Sequence, residues 1–149
     1  MSFIVSNSVI FGANLTRKER RWTMKNQFFV KELNAEEFFV AQDGSLLNEL
    51  FHPDKIGLRL PFSIAYGKLE PRESTKPHSL SQPEIYLFIS GEGIFKTNNQ
   101  RSYPVKALSL VYVPPGNMQW IENTAESPLC FFCIVSPPWK AEWEKEESV

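Results

Sequence analysis

The sequence predicts an all-β domain, a sandwich or small barrel, and three observations lead there. Short apolar runs recur at a spacing of roughly 10 residues with turn-forming residues between them, the pattern of strands joined by turns. No apolar stripe of helical period is long enough for a core helix. Eleven Pro stand against seven Gly, and Pro interrupts helices and central strands alike, so the chain is cut into short elements. The 149 residues amount to one domain, long enough to bury a core. A 42% hydrophobic content with 12 Phe supplies that core and excludes wholesale disorder.

Residues 1–23 read as an N-terminal extension ahead of Met24. Their apolar stretch is interrupted by Ser6, Asn7, Ser8 and Asn14. Its charges (Arg17, Lys18, Arg20, Arg21) follow it, the reverse of a secretory signal, and it is shorter than the about 20 residues of a membrane span. The expectation is a cytoplasmic protein with no membrane partner. Sixteen Lys and Arg against 17 Asp and Glu lack the basic excess of a nucleic-acid binder. Two cysteines cannot build a disulfide scaffold and fit a reducing compartment.

Residues 24–138 read as the folded domain. Asn34-Ala-Glu-Glu opens one helical turn with Asn34 as its cap. Asp43-Gly44 is a hairpin signal, followed by a strand over 45–51. His52-Pro53-Asp54 breaks the chain, and a β-prone run resumes over 58–69. Pro71, Pro77 and Pro83 restrict the next stretch to edge strands, bulges or loops. Further strands are expected over 85–89, 93–96, 108–113, 119–122 and 129–135. Residues 139–149 read as an acidic tail or short frayed helix.

Chemistry concentrates between residues 66 and 93 and between 111 and 123. His78, Leu80 and Glu84 are an even number of residues apart, so an extended chain points all three to one face unless Pro83 inserts a bulge. Gly91 and Gly93 bracket a tight turn, and Pro114-Pro115-Gly116 makes a corner before Gln119, Ile121 and Asn123. These two segments resemble the two motifs of the cupin superfamily. His78, Leu80, Glu84 and Gly91 occupy the first motif's His, His, Glu and Gly seats. Pro114, Gly116, Gln119 and Asn123 occupy the second motif's Pro, Gly, His and Asn seats. The resemblance implies a double-stranded β-helix, or jelly-roll barrel, often a homodimer. Two of the family's three metal-binding histidine seats hold Leu80 and Gln119 instead.

In that resemblance His78, Glu84 and Gln119 are the candidate metal ligands, supplying an imidazole nitrogen, a carboxylate oxygen and an amide oxygen. Such a set suits a divalent ion, with Mn, Fe, Ni and Zn all open. Its single carboxylate leaves positive charge to polarise a carbonyl or acidify a water. The competing reading is a metal-free pocket in which Glu84 and Gln119 hydrogen-bond each other or a ligand. Leu80 dries the pocket and weighs against oxygen chemistry that needs the missing histidine. Tyr66, Leu80, Tyr86, Ile121 and Cys133 are the expected lining of a small-molecule pocket, and Glu84 is the candidate catalytic residue. The resulting function is a small organic ligand bound in the barrel. The chemistry is either isomerase, epimerase, lyase or dioxygenase type, or non-catalytic binding. Cys130 and Cys133 are three apart and face opposite ways on a strand, so they form neither a zinc site nor an easy disulfide. Of the two, Cys133 is expected to face inward. His52, at a strand end before Pro53, reads as an ordinary surface or loop residue, the alternative being that it reaches the pocket mouth.

Overall fold

The computed structural model describes residues 28–148. The chain divides after Val30. Residues 28–30 carry no helix or strand, and the unit beginning at Lys31 holds every described element. The extension assigned to residues 1–23 lies outside the described residues. Among the described residues no helix is long and apolar enough to cross a membrane.

Among the described residues eleven strands form two sheets. The first sheet contains β1 (Phe39–Val40), β2 (Leu46–Phe51), β3 (Ser63–Leu69), β5 (Glu84–Ser90), β8 (Leu110–Val113) and β10 (Leu129–Val135). Its order is β1-β2-β3-β10-β5-β8. The second contains β4 (His78–Leu80), β6 (Glu92–Thr97), β7 (Ser102–Lys106), β9 (Gln119–Glu122) and β11 (Glu144–Glu146), ordered β11-β4-β9-β6-β7. All pairings are antiparallel. The all-β jelly-roll expectation is met, and most strands fall where the sequence places them.

The turn chemistry acts locally. The Asn34 side chain accepts from the Glu36 amide at the start of a single 3-10 turn. The Asp43-Gly44 turn closes β1 onto β2, with Asp43 Oδ1 accepting from the Ser45 amide at 2.9 Å and its hydroxyl at 2.7 Å. His52 caps the short helix α1 (Pro53–Ile56), whose first residue is Pro. β7 escaped the sequence reading because Pro104 lies within it. The strand survives by occupying the edge of its sheet, where a missing amide costs no ladder bond.

The core lies between the sheets: Leu69, Phe88, Phe95, Ile121, Leu129 and Phe131 are all nearly inaccessible. Phe131 packs so close to β3 that a Cβ on Gly67 would stand 2.2 Å from its ring. Gly91, at φ +83°, turns β5 into β6, and a Cβ there would meet the Pro128 carbonyl oxygen at 2.5 Å. Asn123 is a buried clamp. Its amide nitrogen donates to the carbonyls of Leu69, Glu70 and Ser127 at 2.9–3.0 Å, and its oxygen accepts from the Ala125 amide. The Gly116 amide donates to the Leu80 carbonyl at 2.6 Å, docking the corner before β9 onto the end of β4.

The reading of residues 139–149 as a tail or frayed helix is corrected. After a 3-10 turn at Ala141–Trp143, β11 pairs with β4 in the register Glu144↔Leu80 and Glu146↔His78. Its sequence, Glu-Lys-Glu, has no alternating apolar residues to mark a strand, and only pairing with an available edge makes it one.

Candidate functional site

Beside the packed core the sheets border a partly open cavity of about 670 Å³. Its wall is set by register. On β10 and β5, Cys133 lies opposite Tyr86 and Val135 opposite Glu84, directly beyond the core pair Phe131↔Phe88. On the second sheet β4 contributes His78 and Leu80, and β11 contributes Glu144. His78 and Glu84 do meet at one cavity, but not through the parity of one extended strand. The chain turns at Ser81–Pro83 and crosses from β4 in one sheet to β5 in the other.

Glu84 sits at the centre. It is buried, and Gln119, the cross-strand partner of His78 on β9, donates its amide Nε2 to Glu84 Oε2 at 2.6 Å. Burial raises the Glu84 carboxyl to about 7, against the lowering effects of His78 and of hydrogen bonds from Gln119 and Tyr86. Burial likewise raises Tyr86 and Cys133 well above their usual ranges, with the Glu84 charge adding to both. His78 Nδ1 is 2.9 Å from the Lys76 carbonyl oxygen. That oxygen can only accept, so Nδ1 carries a proton and Nε2 is the ring nitrogen left for another partner.

Several expected positions change. Tyr66 does not reach the cavity. Its ring packs edge-on against Phe38 at 5.9 Å and Phe132 at 5.7 Å, on the face of the sheet opposite Phe131. Ile121 belongs to the apolar core, 2% exposed, and does not line the cavity. Leu80, Tyr86 and Cys133 are part of the lining. Gln119 is fully buried and outside the lining, with its Oε1 lacking a partner. His52 lies in the loop between β2 and α1, as expected, and it is buried and reaches the cavity's edge. Its Nε2 donates to the Trp139 carbonyl at 2.9 Å and its Nδ1 accepts from the Asp54 amide at 3.3 Å. Both ring nitrogens are committed, which makes it a strut.

The sequence reading missed Glu144 and Asp43. Burial raises the Glu144 carboxyl, and the Trp139 indole donates to its Oε2 at 2.9 Å. The isolated Trp139 beyond Pro137-Pro138 was the one available signal that the C-terminal segment returns to the domain. Asp43 lines the cavity from a turn that looked purely structural.

The donor set decides how well a resident metal ion would fit. His78 Nε2 and the Glu84 carboxylate face the cavity, Leu80 fills the neighbouring seat, and Gln119 gives Glu84 its nitrogen rather than offering an oxygen. Among the described residues no group of three or more His, Cys, Asp or Glu converges on one point. Two donors fall short of the three that open transition-metal sites use.

Residues 65–135 match the family model for the Cupin domain. The chain is 30% identical over 105 residues to an uncharacterised protein of Methanocaldococcus jannaschii, covering 70% of this chain and 82% of that one. Its fold is similar to a cupin 2 conserved barrel domain protein from Salinispora arenicola. The TM-score is 0.67 at 18% identity, covering 79% of this chain and 93% of that one. It is also similar to oxalate decarboxylase from Bacillus subtilis, a protein with Mn(II) centres. There the TM-score is 0.62 at 19% identity, covering 72% of this chain and 29% of that one.

Proposed function

The chain belongs to the cupin family, and from that premise we propose that its barrel holds one small organic molecule and exchanges a proton with it through Glu84. The observation that carries this reading is the 2.6 Å hydrogen bond from Gln119 Nε2 to Glu84 Oε2. It commits the residue in the second motif's histidine seat to holding a carboxyl group that lines the cavity. A carboxyl raised to about 7 is present in both protonation states near neutrality, the condition for efficient general acid and base work. His78 Nε2 accepts or returns a proton at the same wall. Leu80 and Val135 add apolar surface beside it, and Tyr86 and Gln119 fix the carboxyl's orientation. Isomerisation, epimerisation or elimination next to a carbonyl is the reaction class this supports, and binding without turnover uses the same groups.

A second reading has one observation in its favour. Gln119 Oε1 is buried without a partner, and turning the amide toward the cavity would complete a set of His78, Glu84 and Gln119 for a divalent ion such as Mn, Fe, Ni or Zn. That ion would supply charge to polarise a bound oxygen.

The test begins with protein purified without added metal. Its metal content is measured by mass spectrometry, and a panel of small acids, alcohols and amines is screened by thermal shift. The expected result is sub-stoichiometric metal and ligand stabilisation that Leu80→Trp, which fills the cavity, abolishes. Stoichiometric metal that is lost in Gln119→Leu would establish the second reading. A panel that stabilises wild type and Leu80→Trp equally would remove the cavity as the site. A homodimer, which the family resemblance implies, is checked by light scattering on the same preparation.

A further inference from the structure

We infer that the cavity selects a cationic ligand, an organic ammonium carried on an apolar body, with the carboxylates of Asp43 and Glu144 reading the charge. The inference rests on the reading of the cavity as a small-molecule site and names the class of molecule.

The charges around the cavity are unbalanced. Six carboxyl side chains line it, from Asp43, Glu49, Asp54, Glu84, Glu142 and Glu144, against two lysines, Lys55 and Lys140. Lys55 is already paired with Glu49, and Lys140 lies over the Trp143 ring at 4.7 Å. Among the described residues, Asp43, Glu84, Glu142 and Glu144 form no ion pair with a lysine or arginine. The His78 ring is an independent sign of a ligand. It is 5% exposed and lines the cavity, and Nε2 is engaged by no described protein group.

Two of these carboxylates are built into place. Asp43 is fixed by both donors of Ser45, and its carbonyl accepts from the Lys76 amide at 2.7 Å, two residues from His78. Burial is the main cause that raises Glu84, Tyr86, Cys133 and Glu144, and the Asp43 charge adds a smaller contribution to each. Glu144 is fixed by the Trp139 indole and by pairing of β11 with β4. Like charges held together in a partly buried space raise one another's energy, and among the lining groups the His78 ring opposes this at Glu84 and Glu144. A monocation relieves that repulsion, a neutral molecule leaves it, and an anion adds to it. The carboxyls surround a space and do not converge on a point, which suits a diffuse organic cation better than a bare metal ion. Phe39, Leu47, Ile64, Leu80 and Val135 give its carbon body an apolar surface.

Three probes of one shape test this by calorimetric titration of the full chain in EDTA: phenethylammonium, 2-phenylethanol and phenylacetate. The ammonium should bind about tenfold or more tighter than the alcohol, and phenylacetate should not bind. Asp43→Asn and Glu144→Gln keep the hydrogen-bond acceptors. Each should cut the ammonium-to-alcohol ratio by about three- to tenfold while the alcohol's affinity stays put. Equal binding of alcohol or phenylacetate, or a ratio that neither variant moves, overturns the inference. If that binding is blocked by Leu80→Trp, the cavity reading survives, so the two failures are distinguishable. No binding by any probe overturns both. Without EDTA, Mn²⁺ occupying the cavity at lower concentration than the ammonium also overturns the inference.

Discussion

The same two strands build both halves of the barrel interior, and they build them differently. In one half β5 and β10 present Phe88 and Phe131 across from each other, with Leu129 and Phe95 closing the space. One step along, the same strands present Glu84, Tyr86, Cys133 and Val135 around an open cavity. Tyr86 belongs to both, its ring packed on Phe88, Phe95 and Phe131 and its other side lining the cavity. Backbone pairing is continuous through the boundary, so side-chain size and polarity alone separate a packed half from an open one.

Phe131→Ala probes the filled half and carries the largest expected effect, a loss of about 3–5 kcal/mol by denaturant unfolding. Cys133→Ala, two residues along the same strand but facing the cavity, should cost less than about 1.5 kcal/mol, because its side chain already borders empty space. Equal costs would erase the distinction between the halves.

The open half should reveal itself through pH. The Glu84 carboxyl rises from 4.5 to about 7 on folding, so the native state keeps a proton that the unfolded chain gives up between those values. Its contribution is therefore fully present below pH 4.5 and is lost as pH rises through 7, by up to about 3 kcal/mol. Glu84→Gln should remove that slope and be relatively more stable than wild type at pH 8, read from denaturation midpoints at pH 5 and pH 8. A Glu84→Gln slope identical to wild type would place the titration elsewhere.

Gln119→Leu should cost about 1–3 kcal/mol near pH 8, since it deprives a buried carboxylate of its amide donor. Near pH 5, with Glu84 protonated, the cost should shrink. The double change Leu80→His and Gln119→His restores the family's histidine seats and should raise divalent-metal content toward one ion per chain, checked by metal analysis. The smallest effect is expected far from both halves: Arg72→Ala breaks an exposed pair with Glu126 and should change stability by less than about 0.5 kcal/mol.

The sequence was most legible where a residue's local chemistry decides its role. Asn34 and the Asp43-Gly44 turn follow from capping and turn preferences, and the strands at Gln119–Glu122 and Leu129–Val135 follow from alternation and β-propensity. It was least legible where a partner decides. Tyr66 and Tyr86 look alike in sequence, yet pairing with Phe132 takes one outward and pairing with Cys133 takes the other to the cavity. His52 looked free until Trp139, 87 residues away, engaged its Nε2.

The sequence by itself determined the all-β class, the turn positions, the family's motif seats, and the shortage of histidines at those seats. These depend on residue type and short spacing, which local sterics and hydrogen bonding translate directly. Tertiary structure alone decided that Gln119 turns its nitrogen to Glu84 and that Glu144 returns on β11 to join the wall that carries His78. It also decided that Asp43 belongs to the cavity as much as to its turn. Each of those joins residues distant in the chain, and their meeting depends on which strand edges remain free once the core has packed.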